Sequence, residues 1–358
     1  MKVSVYAICK NEEKFVERWV KSMSEADEIY VSDTGSTDNT VNLLLKHGVK
    51  VNKINITPWR FDKARNKSLE FVSEDTDICV CTDLDEVFAP GWRKELEEKW
   101  KPGTTNASYK YIWNFDEKDN PQTLFYIEKI HSRDNFKWTH PVHEVLEFTG
   151  NGDKKYITLE NVVLKHYPDK EKSRRQYLQL LKLSVKEEPE DDRNMHYLGR
   201  EYMFRKMYDK SIETLKKHLS MPNAKWRDER CASMRYIAKC YIYKKEYNSA
   251  KIWYEKAINE APYLREPYIE YAQLEYEHKN WNKVRELTEN ALIIKERQLT
   301  YISENYCWNY VPYDLLSIAY FNLGNYPFSL KNAVTAYFLD SDNLRLKDNV
   351  EKIKEFIN

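Results

Sequence analysis

A recurrent spacing in the second half of the chain restricts its fold more than any other feature. Between 231 and 262, Ala238, Tyr241, Tyr247, Ala250, Tyr254, Ala257 and Pro262 stand at the offsets of a two-helix repeat with a period of about 34 residues. Gly199, Tyr202, Tyr208, Ser211, Leu215 and His218 hold the equivalent places one unit earlier. Ala272, Trp281, Val284, Thr288 and Ala291 follow one unit later, and Ser317, Tyr320, Tyr326, Ser329, Ala333 and Ala336 complete a fourth. A single such unit cannot bury its apolar face, so units stack, with small residues where helices cross and aromatics in the gaps. The anchors Gly199, Ala238, Ala272 and Ser317 are 39, 34 and 45 residues apart, so extra chain is expected in the first and third connections. The 27 tyrosines are then mostly packing residues rather than a ligand platform.

These offsets are those of the tetratricopeptide repeat, and they predict an all-α C-terminal domain over 171–358. The first half has another period. VSVYAI at 3–8, EIYVS at 28–32 and VKVNKI at 49–54 read as apolar strands. Between them Phe15, Val16, Trp19, Val20 and Met23, and then a segment at 39–47, read as helices. Strands alternating with helices imply βαβ units and a parallel sheet. Asn11, followed by Glu12 and Glu13, is the expected N-cap of the first helix. A helix carrying Ala64, Leu69 and Phe71 leads to the strand Ile78–Cys81, and from 105 to 165 Tyr- and Trp-bearing strands should complete the sheet in mixed or antiparallel fashion. The charged stretch PDKEKSRRQ reads as the junction, giving an α/β domain over 1–170. At 358 residues, the chain exceeds the ~250–300 at which one core stops growing, which also favours two domains.

Lys and Arg together number 57, as do Asp and Glu, so no net charge draws the chain to nucleic acid or an anionic membrane. The six cysteines form no CxxC pair, which predicts reduced, buried thiols and a cytoplasmic location. MKVSVYAICKNEE runs straight into a strand pattern and reads as neither a leader nor an anchor. No stretch approaches the ~18 apolar residues of a membrane helix.

The residues with chemical potential sit at strand ends. Asp83-Leu84-Asp85 follows an apolar strand at the edge where open α/β sheets place ligands. One carboxylate can hold Mg²⁺ or Mn²⁺ and the other a ribose hydroxyl or a metal-bound water; hard cations of this kind share substrate phosphates. Asp33 ends the second strand in VSDTGSTDNT. There Gly35 permits the turn and Thr37 or Asp38 can cap the next helix, which leaves Asp33 spare to bind a nucleoside. Arg65, beside Asn66, is either a bidentate phosphate donor or the partner of Asp62 or Glu70. His140, His143 and His166 cluster in the β-rich segment. HPVHE puts His143, a candidate substrate contact, beside Glu144, and His166 at the end of NVVLKH is placed to supply a nitrogen to the same cation.

Together AICKNEE, VSDTGSTDNT, FDKARN, TDLDE, HPVHE and KHYPDK, in order over residues 5–170 and followed by the repeats, resemble the family 2 glycosyltransferases of GT-A fold. The resemblance is to the bacterial branch with C-terminal tetratricopeptide repeats that includes sublancin-type bacteriocin glycosyltransferases. It implies a Rossmann-like nucleotide-sugar-binding domain and inverting transfer from a UDP-sugar to a peptide, protein or glycan acceptor. It further implies that Asp33 contacts uridine, Asp83 the ribose or sugar, Asp85 and His166 the metal, and that Arg65 lies near the donor. The first motif reads CKNEE where many relatives carry Pro-Val-Tyr ahead of the Asn-Glu-Glu. Glu144 is the candidate general base, as part of the one compact acid-and-histidine string after TDLDE. Repeat arrays also suggest a homodimer. Two other readings compete: an inactive sugar-nucleotide-binding scaffold, which the intact Asp83/Asp85 pair opposes, and a nucleotidyltransferase, which would need a Gly-rich basic loop where CKNEE stands.

Overall fold

The computed structural model describes residues 1–169 and 175–357. Most of the junction read at PDKEKSRRQ falls on 170–174, outside the described residues. The chain forms two compact units, Met1–Ser184 and Val185–Asn358.

The first unit opens with β1 (Val3–Cys9), α1 (Glu13–Met23), β2 (Glu28–Asp33), α2 (Thr40–Lys46), β3 (Lys50–Lys53), α3 (Phe61–Phe71) and β4 (Ile78–Cys81). It continues with β5 (Glu86–Phe88), α4 (Trp92–Lys99), β6 (Asn106–Phe115), β7 (Pro121–Ser132), β8 (Phe136–Thr139), β9 (Val145–Phe148), β10 (Tyr156–His166) and α5 (Tyr177–Glu187). Eight strands make one sheet in the order β3-β2-β1-β4-β7-β6-β10-β5, and β8 and β9 form a separate hairpin. β1 and β4 are buried almost throughout and, Ser4 apart, carry apolar or weakly polar side chains, as strands covered on both faces do. α1 buries Phe15, Val16, Trp19, Val20 and Met23 against that sheet, each worth about 1.5–3 kcal/mol on full burial.

Parallel β1 is flanked by β2 on one side, with Cys9 opposite Asp33, and by β4 on the other, with Tyr6 opposite Cys81. After β3 the chain crosses to the far side of β1 to form β4. Such a reversal of strand order opens a crevice at the carboxyl ends, where open α/β sheets bind ligands. The remaining strands turn the sheet mixed: β7 runs antiparallel to β4, β6 antiparallel to β7, β10 parallel to β6 and β5 antiparallel to β10.

Asn11 is not the N-cap of α1. It lies in the left-handed region (φ 54°), and its Oδ1 accepts from the Thr37 amide at 2.8 Å. The helix's orphan amides are met from the next loop, Glu12 N–H by Thr40 Oγ1 (2.7 Å) and Glu13 N–H by Asp38 Oδ2 (3.2 Å). Open amides at a helix start accept any well-placed oxygen, so tertiary placement overrode the local signal.

The second unit is helical: α6 (Asp192–Phe204), α7 (Tyr208–Ser220), α8 (Arg227–Tyr243), α9 (Tyr247–Glu260), α10 (Glu266–Glu277), α11 (Trp281–Ile293), α12 (Val311–Asn322), α13 (Tyr326–Leu339) and α14 (Leu344–Lys354). α6 to α13 pair consecutively into four hairpins, and α14 packs on α13. The repeat anchors lie in the helix crossings. A Cβ on Gly199 would stand 2.5 Å from Leu215 Cγ, and Ala238, Ala250, Ala257, Ala272 and Ala291 are fully buried. The Ser211 hydroxyl donates to the Gly199 carbonyl (2.8 Å), and Ser317 to that of Ser329 (2.9 Å), so hydroxyls replace methyls without losing their bonds.

The extra chain expected in the third connection is residues 294–310, which carry a single 3-10 turn at Asn305–Cys307. This segment runs back over three helices. The Tyr301 ring stacks on Tyr197 of α6 (5.7 Å between centroids) and its hydroxyl donates to Glu229 of α8. The Ile302 carbonyl accepts from Arg235 of α8 (3.2 Å), and Ser303 Oγ and Trp308 Nε1 donate to Glu266 of α10, both at 3.1 Å. Among the described residues no helix is long and apolar enough to cross a membrane, and all six cysteines are free and buried.

Candidate active site

The carboxyl end of β4 releases the chain into Thr82-Asp83-Leu84-Asp85, and buried neighbours fix each step. Trp19 Nε1 donates to Thr82 Oγ1 (3.1 Å), Leu84 turns into the core, and the Asp83 amide donates to Glu86 Oε2 (2.9 Å). The two carboxylates between these anchors diverge to different partners.

Asp83 meets Arg65 and Lys129. Arg65 Nη2 donates to its oxygens at 2.9 and 3.1 Å, and Lys129 Nζ lies 3.4 Å from Oδ2. Burial works against the charge on Asp83, but the two cations outweigh it and hold the carboxyl well below the usual carboxylate range. Its side chain remains 33% exposed, leaving an edge for a ligand.

Arg65 itself is buried and reaches Glu144 Oε1 through Nε (2.7 Å), Cys81 Sγ through Nη1 (3.3 Å) and Asp83 through Nη2. It pairs with neither Asp62, which binds Arg60 (2.8 Å), nor Glu70, which binds Lys67 (2.6 Å). All three guanidinium nitrogens already have protein partners, so its evident work is to hold Asp83 and Glu144. A phosphate would compete only for its remaining hydrogens.

Glu144 arrives through the β8–β9 hairpin, of which HPVHE is the turn. His140 and His143 occupy the left-handed region there (φ 70° and 54°), an uncommon conformation that histidine tolerates better than most residues. Asn66 pins the hairpin to α3, its side chain donating to the Trp138 carbonyl (2.8 Å) and accepting from the Trp138 amide (2.9 Å). The His143 ring lies against Tyr177 (5.9 Å). His166 lies elsewhere, on β10, so the three histidines do not act as one sequence cluster.

Asp85 faces His166. Pairing of β10 with β5 sets His166 opposite Glu86, and the Tyr167 amide donates to the Asp85 carbonyl (2.8 Å). His166 Nδ1 bonds the Trp113 carbonyl (2.9 Å), leaving Nε2 toward Asp85 Oδ2 at 3.4 Å. Burial alone would lower the imidazole's proton affinity, but the Asp85 carboxylate outweighs it and raises the pKa. Two oxygen- and nitrogen-type ligand atoms on one octahedral dication lie about 3 Å apart. Donor types and spacing therefore fit a divalent cation, and an imidazole held through its other nitrogen is the usual arrangement of a metal-bound histidine.

Asp33, at the end of β2, is 1% exposed. It is not spare: its carboxylate accepts from the Ser36 amide (3.0 Å) and the Gly35 amide (3.2 Å). It thus shapes its own turn, with Gly35 at φ 105°.

Lys129, Glu86, Tyr111 and Trp113 went unread in the sequence. Glu86 is fully buried and receives Tyr111 Oη (2.7 Å) and Lys129 Nζ (3.0 Å). Its carboxylate and that of Asp83 keep Lys129 charged against burial, raising its pKa. The result is a contiguous series of alternating charge: Glu144, Arg65, Asp83, Lys129, Glu86. Trp113 stacks on His166 (4.4 Å between centroids) and leaves 44% of its surface exposed. A lysine inside the strand TLFYIEKIHS, antiparallel to β4, was the available signal, but its partner strand is not visible from spacing.

A doubly wound sheet extended by antiparallel strands, with acids at the ends of β2 and β4 and a histidine returned by its last long strand, defines a GT-A-type nucleotide-sugar domain. Residues 4–150 match the model of glycosyl transferase family 2. Among solved structures the chain is similar to glucosyl-3-phosphoglycerate synthase from Mycobacterium tuberculosis in complex with Mn²⁺, UDP and glucosyl-3-phosphoglycerate. That match has 26% identity over 31% of this chain and 44% of that one, with a TM-score of 0.27, so it spans less than half the synthase. Others resemble about half of the chain: MamA (17% identity, 50% of this chain and 99% of that one, TM-score 0.38) and PilF of Pseudomonas aeruginosa (12%, 49% and 72%, TM-score 0.38).

Proposed function

We propose that the first unit transfers a hexose from a UDP-sugar, with inversion, to a polypeptide acceptor recognised by the helical unit. The observation that carries this reading is the facing pair Asp85 Oδ2 and His166 Nε2, 3.4 Å apart at the carboxyl end of the sheet. They would hold Mn²⁺ or Mg²⁺, which supplies neutralisation of the diphosphate as it departs. Asp83, fixed by Arg65 and Lys129, offers its exposed edge to the ribose or sugar hydroxyls. Asp33 keeps the turn after β2 in the form that receives the uridine. Glu144 takes the acceptor proton through Oε2, since Oε1 is held by Arg65; His143, in the same turn, contacts substrate. General-base help of this kind contributes about 10²–10⁴-fold, and holding donor and acceptor in line contributes further. Six buried free thiols suit a reducing compartment, and we place the protein in the cytoplasm.

The deciding experiment is a panel of nucleotide sugars, each with Mn²⁺, Mg²⁺ or chelator, read as sugar release. Hydrolysis of a UDP-sugar that requires the dication is expected. Failure of every sugar, or turnover indifferent to chelator, overturns the reading. Once an acceptor is identified, changes to outward-facing side chains of the helical unit should reduce transfer while sparing hydrolysis; equal loss of both would remove the helical unit from acceptor recognition.

A further inference from the structure

The first hairpin of the helical unit departs from its own repeat at one buried position. Where the other three units place Ala257, Ala291 and Ala336, this one places His218, fully buried on α7. A second imidazole, His196 of α6, is also fully buried, and Glu229 of α8 is 2% exposed. One ring nitrogen from each histidine and one Glu229 oxygen lie within 4.8 Å of one another.

The polar atoms are not consumed by packing. Ser233 Oγ lies between the two Nδ1 atoms, 2.8 Å from His196 and 3.0 Å from His218. Nε2 of both rings is buried without a hydrogen-bond partner. His218 Nε2 and Glu229 Oε1 are 3.4 Å apart, close to the separation of two corners of a tetrahedron around a zinc-sized ion, about 3.3–3.5 Å from bonds of roughly 2.0–2.2 Å. A hydroxyl that accepts from both Nδ1–H groups leaves each Nε2 with the lone pair a metal needs, and the Tyr301 hydroxyl on the other Glu229 oxygen orients the carboxylate. A buried imidazole nitrogen without a hydrogen-bond partner, such as His196 Nε2, is costly, and the repeats that put alanine at the place of His218 show that the fold does not require an imidazole there.

We propose that His196, His218 and Glu229 bind a transition-metal dication of the zinc class, joining α6, α7 and α8. The site is independent of the donor chemistry at Asp85 and His166. Its consequence is stability: bound metal stabilises the folded state by mass action, and chelation releases it.

The test is titration of the full chain with Co²⁺ and Zn²⁺, performed on the wild type and on Asp85→Ala to remove the other candidate site. One equivalent of Co²⁺ is expected to give the visible absorption of a tetrahedral centre. That band should be displaced by Zn²⁺, persist in Asp85→Ala and vanish in His218→Ala. Ser233→Ala should weaken affinity by about 10–100-fold without abolishing it. No tetrahedral band in the wild type overturns the proposal, as does a band that survives His218→Ala and disappears in Asp85→Ala. Should His218→Ala fail to fold, the Asp85→Ala titration decides alone, a retained band supporting the site and a lost one removing it.

Discussion

Both units bury charge, and they do so to opposite ends. In the helical unit Arg235 and Glu270, 1% and 2% exposed, close on each other, and Lys239 joins them at 2.8 Å. In the first unit the series from Glu144 to Glu86 passes the end of β4 through Asp83, its middle member, which keeps a third of its side chain exposed, beside Asp85. A closed pair fixes helices relative to one another, whereas an open series presents a fixed carboxylate to a ligand. Buried ion pairs are poor sources of stability against an apolar alternative. A protein that orders five charges around one crevice is therefore using them for placement.

The sharpest way to break this contrast is to remove the pivot. Arg65→Leu strands Glu144 beside an apolar side chain and leaves Asp83 with Lys129 of its two cations, and loss of one partner of a buried pair costs about 3–5 kcal/mol. Denaturant unfolding should show that loss, and Arg65→Lys should recover only part of it because lysine lacks the planar fork. If Arg65→Leu is as stable as the wild type, the series is not the organiser described. Asp85→Ala, at the open end, should behave differently: circular dichroism and the melting temperature nearly unchanged, with Mn²⁺-dependent sugar release reduced by about 10²–10³-fold. A variant that retains turnover with an unaltered metal requirement removes Asp85 from the metal site.

Acidification probes the first unit through His131. Fully buried, it accepts from Tyr6 Oη through Nε2 (2.9 Å) and bonds the Ser132 carbonyl through Nδ1 (2.7 Å). Burial pushes its pKa down to about 4, against about 6.5 in the unfolded chain. Between these values the unfolded state binds the extra proton, so stability is full above pH ~6.5 and is lost as pH falls toward 4, by about 3 kcal/mol in all. His131→Gln should flatten that slope in pH-dependent unfolding; an unchanged slope assigns the titration elsewhere. The smallest effect belongs to the helical crossings. Gly199→Val places atoms where even a Cβ stands 2.5 Å from Leu215, and overpacking of this kind costs about 1–3 kcal/mol. A melting temperature equal to the wild type's would show that α6 and α7 separate freely.

The two units also differ in how far they were legible. The helical unit could be read residue by residue, because Gly199, Ala238, Ala272 and Ser317 act within hairpins whose contacts are short in sequence. In the sheet, β1, β2 and β4 were legible from composition, as was the placing of Asp33, Asp83 and Asp85 at strand ends. Their partners were not. Arg65 reached Glu144, 79 residues on, instead of Asp62 or Glu70, whereas His166, expected at the same cation as Asp85, stands 3.4 Å from it. Asn11 looked like a cap and proved to be a ligand for Thr37. These misses share one cause: the side chain's partner in space came from a distant hairpin or loop whose placement the sequence does not announce.

The segment 294–310 changes what kind of solid the helical unit is. A plain repeat array is coupled only between neighbours, so it can fray from either end and melt in steps. Here Tyr301 stacks on α6 and bonds α8, while Ser303 and Trp308 bond α10. The first and second hairpins thus lose contacts whenever the third releases this segment. Loosening is shared rather than local, and the first hairpin is denied the independent opening that an unbraced array would allow. The unit should exchange its amide hydrogens as one cooperative block from α6 to α10, with α13 and α14, beyond the segment, the first to open.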